Sequence, residues 1–254
     1  MNSVPLAEIV GFLDTTLQTK EVVDFPNACN GLQLANRGTV TRIAGAVDAN
    51  MHSIQAAIKN GADLLVVHHG LTWGGVQIIV GPWYDLYCSA IEANLAIYSV
   101  HLPLDGHPQY SHNVGIAKAL GVSITGSFAP YHGHSYGIIC SGMKRDELEQ
   151  RLQKVFPKSL RPICYGSEAP KAIGILSGSG GQTLFLEALV AAGVDTLVTG
   201  EVHYSAVSFA QLHHLNLFCC GHYATESFGV HSLMNLLHEH TQLPCTFLED
   251  FSPF

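Results

Sequence analysis

Two adjacent histidines, His68 and His69, close the apolar run Leu64-Leu65-Val66-Val67 and precede Gly70. A buried strand ending in two imidazoles brings both to one place, and imidazole is the side chain most often used as a metal ligand. His222 and Glu226 stand four residues apart where a strand gives way to a helix, so that imidazole and carboxylate share one helical face. Asp105 adds a second carboxylate, four residues after His101, which itself ends an apolar run. Together His68, His69, His222, Asp105 and Glu226 form a mixed N/O donor set for two divalent ions. Such a set suits Zn, Fe or Mn, with a carboxylate able to bridge, and needs no thiolate.

Neighbouring strand residues normally point to opposite faces. Both histidines can still ligate if the chain is already turning at Gly70, or if each serves a different ion. A pair of divalent ions lowers the pKa of a bound water towards about 7 and clamps an oxyanion, which is the chemistry of hydrolysis. His101 is then placed to accept or deliver the proton, and Glu201 is either a carboxylate supporting the ligands or a general base. Each residue also has a plainer reading. His101 alone reads as a hydrogen-bonded structural histidine, Asp105 before Gly106 as a turn residue, and Glu201 as a solvated loop carboxylate. The turn Ser177-Gly178-Ser179-Gly180-Gly181 is glycine-rich like a phosphate cradle but lacks the Lys-Ser/Thr of a P-loop.

Most of the elements that must carry these groups are short strands alternating with helices. Strands are predicted over 42–47, 64–67, 95–100, 136–140, 171–176, 195–199, 216–220 and 245–248. Helices are predicted over 51–59, 84–93, 113–120, 144–155, 183–192, 204–212 and 223–239, several closed by a glycine. The run 71–82 reads as a loop, 102–106 as a turn, and 122–170 as a looser middle segment. Alternation of this kind implies an α/β fold with mostly parallel strands, and ligands gather beyond the carboxyl ends of such strands. His68, His69, His101, Glu201 and His222 all fall at such ends.

The two halves of the chain also match each other. Residues 60–69 line up with 192–201, and 95–101 with 216–222, which sets Asp105 opposite Glu226. The expectation is an internal duplication: one α/β lobe over 1–125 and a similar, interlocked lobe over 126–254, with the metal site in the cleft where their strand tips face each other.

Composition narrows the function further. The chain has 254 residues, with 47% apolar and only 13% charged, where a soluble domain carries about 25% charged. A surface so poor in charge suggests cover by other subunits, hence a homo-oligomer. A formal charge of -8 with 12 Lys plus Arg and no basic run argues against nucleic acid as a partner. No apolar run approaches the roughly 18 residues of a membrane span, and the N-terminal stretch reads as an amphipathic helix in place of a targeting signal. Seven cysteines without a C-x-x-C pair fit reduced thiols in a cytoplasmic protein.

The strings LLVVHHGLTWGG, SVHLPLDGHPQYSHN, VTGEVH and GHYATE, with NGLQ near the start, resemble the GTP cyclohydrolase 1 type 2 homologues, or Nif-three-like proteins, across essentially the whole chain. The resemblance implies two similar α/β lobes, a toroidal homohexamer, and dimetal ligands at His68, His69, Asp105, His222 and Glu226. Some fifty residues occupy the place of the inserted middle domain of longer relatives, so the chain is similar to the short form. The expected function is a metal-dependent hydrolase of a small, nucleotide-like or heterocyclic substrate. The alternatives are a metal-handling or cofactor-assembly protein without turnover, and an oligomeric scaffold with structural metals.

Overall fold

The central strands of two sheets are buried along nearly their whole length, because parallel strands in such sheets are covered on both faces. The computed structural model describes residues 2–73, 75 and 77–250. Its chain divides into two compact units, the first reaching His107 and resuming at Val230, the second spanning Pro108–Gly229.

The first unit opens with β1 (Val4–Pro5) and α1 (Leu6–Leu17), followed by β2 (Gly31–Leu34), β3 (Thr39–Val40) and β4 (Ile43–Asp48). Then come α2 (Met51–Asn60), β5 (Leu64–His69), α3 (Pro82–Glu92), β6 (Ala96–Ser99) and α4 (Leu102–Asp105). The Asn50 side chain caps α2 in a reciprocal box with Ser53, and Gly61 closes that helix in the left-handed conformation, which explains its start and stop. In the second unit the order is α5 (His112–Leu120), β7 (Ile124–Tyr131), β8 (His134–Ser141), α6 (Arg145–Val155), β9 (Arg161–Cys164) and β10 (Ala172–Leu176). It continues through α7 (Thr183–Ala191), β11 (Thr196–Thr199), α8 (Ser205–Leu212), β12 (Asn216–Cys219) and the start of α9 (His222–Thr241). The rest of α9 and β13 (Cys245–Phe247) belong to the first unit.

The first sheet has the order β13-β4-β5-β6-β2 and the second β7-β8-β10-β11-β12-β9. In the first, β13, β4, β5 and β6 run parallel and β2 closes the edge antiparallel to β6. In the second, β10, β11 and β12 run parallel, β9 lies antiparallel to β12, and β8 antiparallel to β10. All six residues of β5 are buried, as its place at the centre of its sheet requires. One core gathers Ala44, Ile54, Leu65, Val67 and Ile97, the other Leu148, Leu152, Ile173, Val198 and Phe218.

Several expectations change in detail. The segment 102–106, read as a turn, is one turn of helix, since Asp105 N–H reaches back to His101 O at 3.1 Å. The middle segment holds two further strands, β7 and β9. The first four residues of β7 are exposed, so burial alternation gave no sign of it; β8 pairs along most of its length. Pro162 sits in β9, an edge strand, where the missing N–H costs nothing. The lobe boundary expected at 125/126 differs from the division at His107, and the C-terminal stretch joins the first sheet because β13 pairs with β4. The loop expected over 71–82 lacks regular structure from Leu71 to Gly81 in its described residues; Gly74 and Val76 lie outside them. No helix among the described residues is long and apolar enough to cross a membrane.

Candidate metal centre

In the first unit, β5 delivers His68 and His69, both buried. Their rings approach to 4.7 Å between centroids although they are strand neighbours, and the chain leaves the strand at Gly70. That glycine lies against the Gln33 amide, whose Oε1 accepts from Leu71 N–H at 2.6 Å. His68 Nδ1–H donates to Val100 O at 3.0 Å. His69 Nδ1–H donates to Asp48 Oδ1 at 2.9 Å, and Asp48, the last residue of β4, is its register partner.

His101, just before α4, donates from Nδ1 to Asp24 Oδ1 at 2.9 Å. Asp24 Oδ2 in turn accepts from Leu102 N–H and from Asn30 Nδ2, both at 2.8 Å. Burial works against the charged Asp24, but His101 and these donors outweigh it and hold the carboxyl below its usual value. Asp105, the last residue of α4, places Oδ1 3.7 Å from His68 Nε2 and Oδ2 3.8 Å from His101 Nε2. One nitrogen from each of His68, His69 and His101 can be chosen so that all three lie within 4.8 Å of one another.

In the second unit, His222 opens α9 directly after Gly221, whose φ of 92° lets the chain turn out of β12. The i, i+4 spacing sets His222 Nε2 3.0 Å from Glu226 Oε2. On the other side of the ring, Nδ1 lies 3.0 Å from Glu201 Oε1, which also accepts from Ser179 Oγ–H at 2.9 Å. Burial disfavours the imidazolium, yet Glu226 and Glu201 together push the His222 pKa up to about 9. Glu201, opposed by burial but bonded to His222 and Ser179, titrates below its ordinary value. The glycine-rich turn 177–181 packs against this pair. Its amides at Ser177, Gly178 and Gly181 donate to Asn113 Oδ1, Thr225 Oγ1 and Glu201 O. Three N–H groups that a phosphate cradle would use are therefore committed within the unit.

A common pattern emerges. Each of His68, His69, His101 and His222 has Nδ1 bonded to a carbonyl or carboxylate oxygen. This fixes the ring orientation and leaves Nε2 as the nitrogen whose lone pair can bind an ion, the arrangement found around metal-ligating histidines. At His222 the ion would take the place of the proton shared with Glu226. The donors therefore fit a divalent metal in chemistry and in preparation. His112 behaves oppositely: its Nδ1 accepts from Gly229 N–H at 2.9 Å, which leaves the proton on Nε2.

Asp24 and Asp48 were missed by reasoning from the sequence. The end of the strand over 42–47 pointed at Asp48, but nothing at 24 marked that carboxylate, since its role depends on a contact with His101, 77 residues away.

Comparison with known proteins places these features in context. The model of the Duf34/NIF3 (NGG1p interacting factor 3) family matches residues 4–253. A GTP cyclohydrolase 1 type 2 homolog of Archaeoglobus fulgidus is 36% identical over 244 residues, which cover 96% of this chain and 97% of that one. A protein of the same name from Escherichia coli is 29% identical over 248 residues, 97% of this chain and 98% of its own. Among solved structures, protein ybgI, described as of unknown function, aligns with a TM-score of 0.90 at 27% identity, over 99% of this chain and 100% of that chain. A protein of Thermus thermophilus, TTHA1606, aligns with a TM-score of 0.86 at 29% identity and the same coverage.

Proposed function

Given that the chain belongs to the Duf34/NIF3 family, we propose that it is a dinuclear metal-binding protein that acts as a metal-dependent hydrolase on a small nucleotide-like or heterocyclic substrate. The observation that carries this reading is the shared orientation of four imidazoles by Nδ1 bonds. Ligands on this reading are His68, His69 and Asp105 from the first unit and His222 and Glu226 from the second. The His222–Glu226 pair alone supplies too few donors to close a coordination sphere. Two divalent ions, when bound, supply Lewis-acid chemistry suited to hydrolysis.

The chain's own groups do the rest. His101, with Nδ1 held by Asp24, takes or gives a proton at Nε2. Glu201 is a positioning residue that fixes the His222 ring through Nδ1. A second reading of His101 follows from its nitrogen lying with those of His68 and His69: it serves as a further ligand. Metal-handling or cofactor assembly without turnover is the alternative function. We further read the units as an internal repeat, supported by a run of parallel strands flanked by an antiparallel edge strand in each, four parallel strands in the first sheet and three in the second, and the assembly as a cytoplasmic homohexamer, in keeping with the charge-poor composition and free cysteines.

The test is metal analysis of protein purified without added metal, followed by screening GTP and related ring compounds for metal-dependent products. A hydrolase holds two ions and turns over a member of the panel, and His101→Ala abolishes turnover with metal content near two. Loss of metal in His101→Ala makes that residue a ligand. Full metal content with no turnover on any compound favours the carrier.

A further inference from the structure

Beside the histidines of the first unit stands an aromatic corner that the metal chemistry does not use. Trp73 lies 4.3 Å from the His101 ring and 4.7 Å from the His69 ring. Phe25 meets Trp73 edge-on, at 6.5 Å and 74°, and lies 5.9 Å from His101. Both rings reach solvent, Trp73 at 36% and Phe25 at 49% exposure. Leaving this aromatic surface in water is unfavourable, at roughly 25 cal/mol for each Å².

The corner is held in place. Trp73 N–H donates to Gly70 O at 3.2 Å. The neighbouring Thr72 hydroxyl donates to Asn27 O at 3.0 Å and accepts from Gln33 Nε2 at 3.3 Å. Phe25 N–H donates to Asp24 Oδ1 at 2.6 Å, the same carboxylate that orients His101. The loop carrying Phe25 and the turn carrying Trp73 are thus tied to the groups that orient the imidazoles, and the rings are presented as a preorganised surface.

We propose that Trp73 and Phe25 form a stacking subsite that seats a planar, fused-ring nitrogen heterocycle beside the candidate metal ligands His69 and His101. This rests on the metal-centre reading above and names the substrate class of that same site. An indole offers two fused rings, the area that a bicyclic heterocycle covers, and Phe25 supplies a wall. Stacking is indifferent to charge, which matters where Asp24, Asp48 and Asp105 line the neighbourhood and the chain carries a formal charge of -8. Recognition at this corner therefore falls on the flat ring and not on an anionic tail.

The experiment is calorimetric titration of the zinc-loaded full chain with inosine, a neutral fused-ring nucleoside, and with ribose, which keeps the sugar and lacks the ring. Zinc content is measured on the same samples. Inosine should bind and ribose should not. Trp73→Ala should weaken inosine binding at least about fivefold, the low end for a base stacked on an aromatic side chain. Trp73→Tyr should retain most of the affinity, and Phe25→Ala should lose part of it with full zinc content. Failure of wild-type protein to prefer inosine over ribose overturns the subsite, as does a Trp73→Ala affinity within twofold of wild type. Wild-type protein that holds no zinc overturns the metal-centre reading, whatever inosine does.

Discussion

Replacing Gly178 with alanine should damage metal binding more than it damages the fold. Gly178 has a φ of +59°, and an added Cβ would run into Glu226 Oε1 while standing 3.3 Å from His222 Nε2. The backbone cannot easily retreat, because Gly178 N–H donates to Thr225 Oγ1 at 3.1 Å and its carbonyl accepts from Glu201 N–H at 2.9 Å. The Glu226 carboxylate is the softer partner, but swinging it away breaks its 3.0 Å contact with His222. The left-handed conformation costs an L-residue roughly 1–2 kcal/mol, which lowers Tm by about 2–8 °C for a chain of this size. Metal affinity should fall by at least about tenfold to a hundredfold, the range seen when only a supporting partner of a ligand is removed. Gly193→Ala is the control: its φ is +73° and nothing lies within 4 Å of the added Cβ. It should lose comparable stability and no affinity. Chelator competition and thermal melts on both variants read the two effects separately. Gly178→Ala with wild-type affinity, or with the same affinity loss as Gly193→Ala, refutes the placement of Glu226 in the metal site.

Other outcomes follow from the same geometry. Glu226→Gln should lower metal stoichiometry more than Glu201→Gln, because Glu226 faces Nε2 and Glu201 faces Nδ1 of His222; equal losses would exchange or erase those roles. Asp48→Ala removes the acceptor of His69 Nδ1 and should weaken metal binding roughly tenfold to a hundredfold without unfolding the chain, measured by chelator competition. His222 must shed a proton to ligate, and its pKa stands at about 9 in the metal-free chain. Zinc affinity should therefore climb with pH, by about tenfold per unit, and level off above about pH 9; a flat profile between pH 7 and 9 would exclude His222 from the ligands.

Much of this was legible because burial and chemistry coincide in short stretches. The strand that ends in His68 and His69 is visible as an apolar run, since a parallel strand covered on both faces reads as a near-continuous hydrophobic stretch. The His222–Glu226 pair is visible because a helix has a fixed period. What the sequence hid depends on distant contacts. Asp24 meets His101 across 77 positions, and no local pattern records that. β7 escaped notice because its first half is exposed and takes its order from pairing with β8. The glycine-rich turn 177–181 carried only a weak sign of anion binding in one dimension, since it lacks the Lys-Ser/Thr of a P-loop. In three it supports Glu201 and makes room for Glu226.

The central claim is that Nε2 nitrogens and carboxylates of this chain gather two ions. X-ray absorption at the zinc edge of the fully loaded protein tests it most directly. The account predicts a nitrogen and oxygen shell at about 2.0–2.1 Å with imidazole scattering, and a second metal at about 3.5–4 Å. A sulfur shell near 2.3 Å, or a single ion without imidazole scattering, would contradict it.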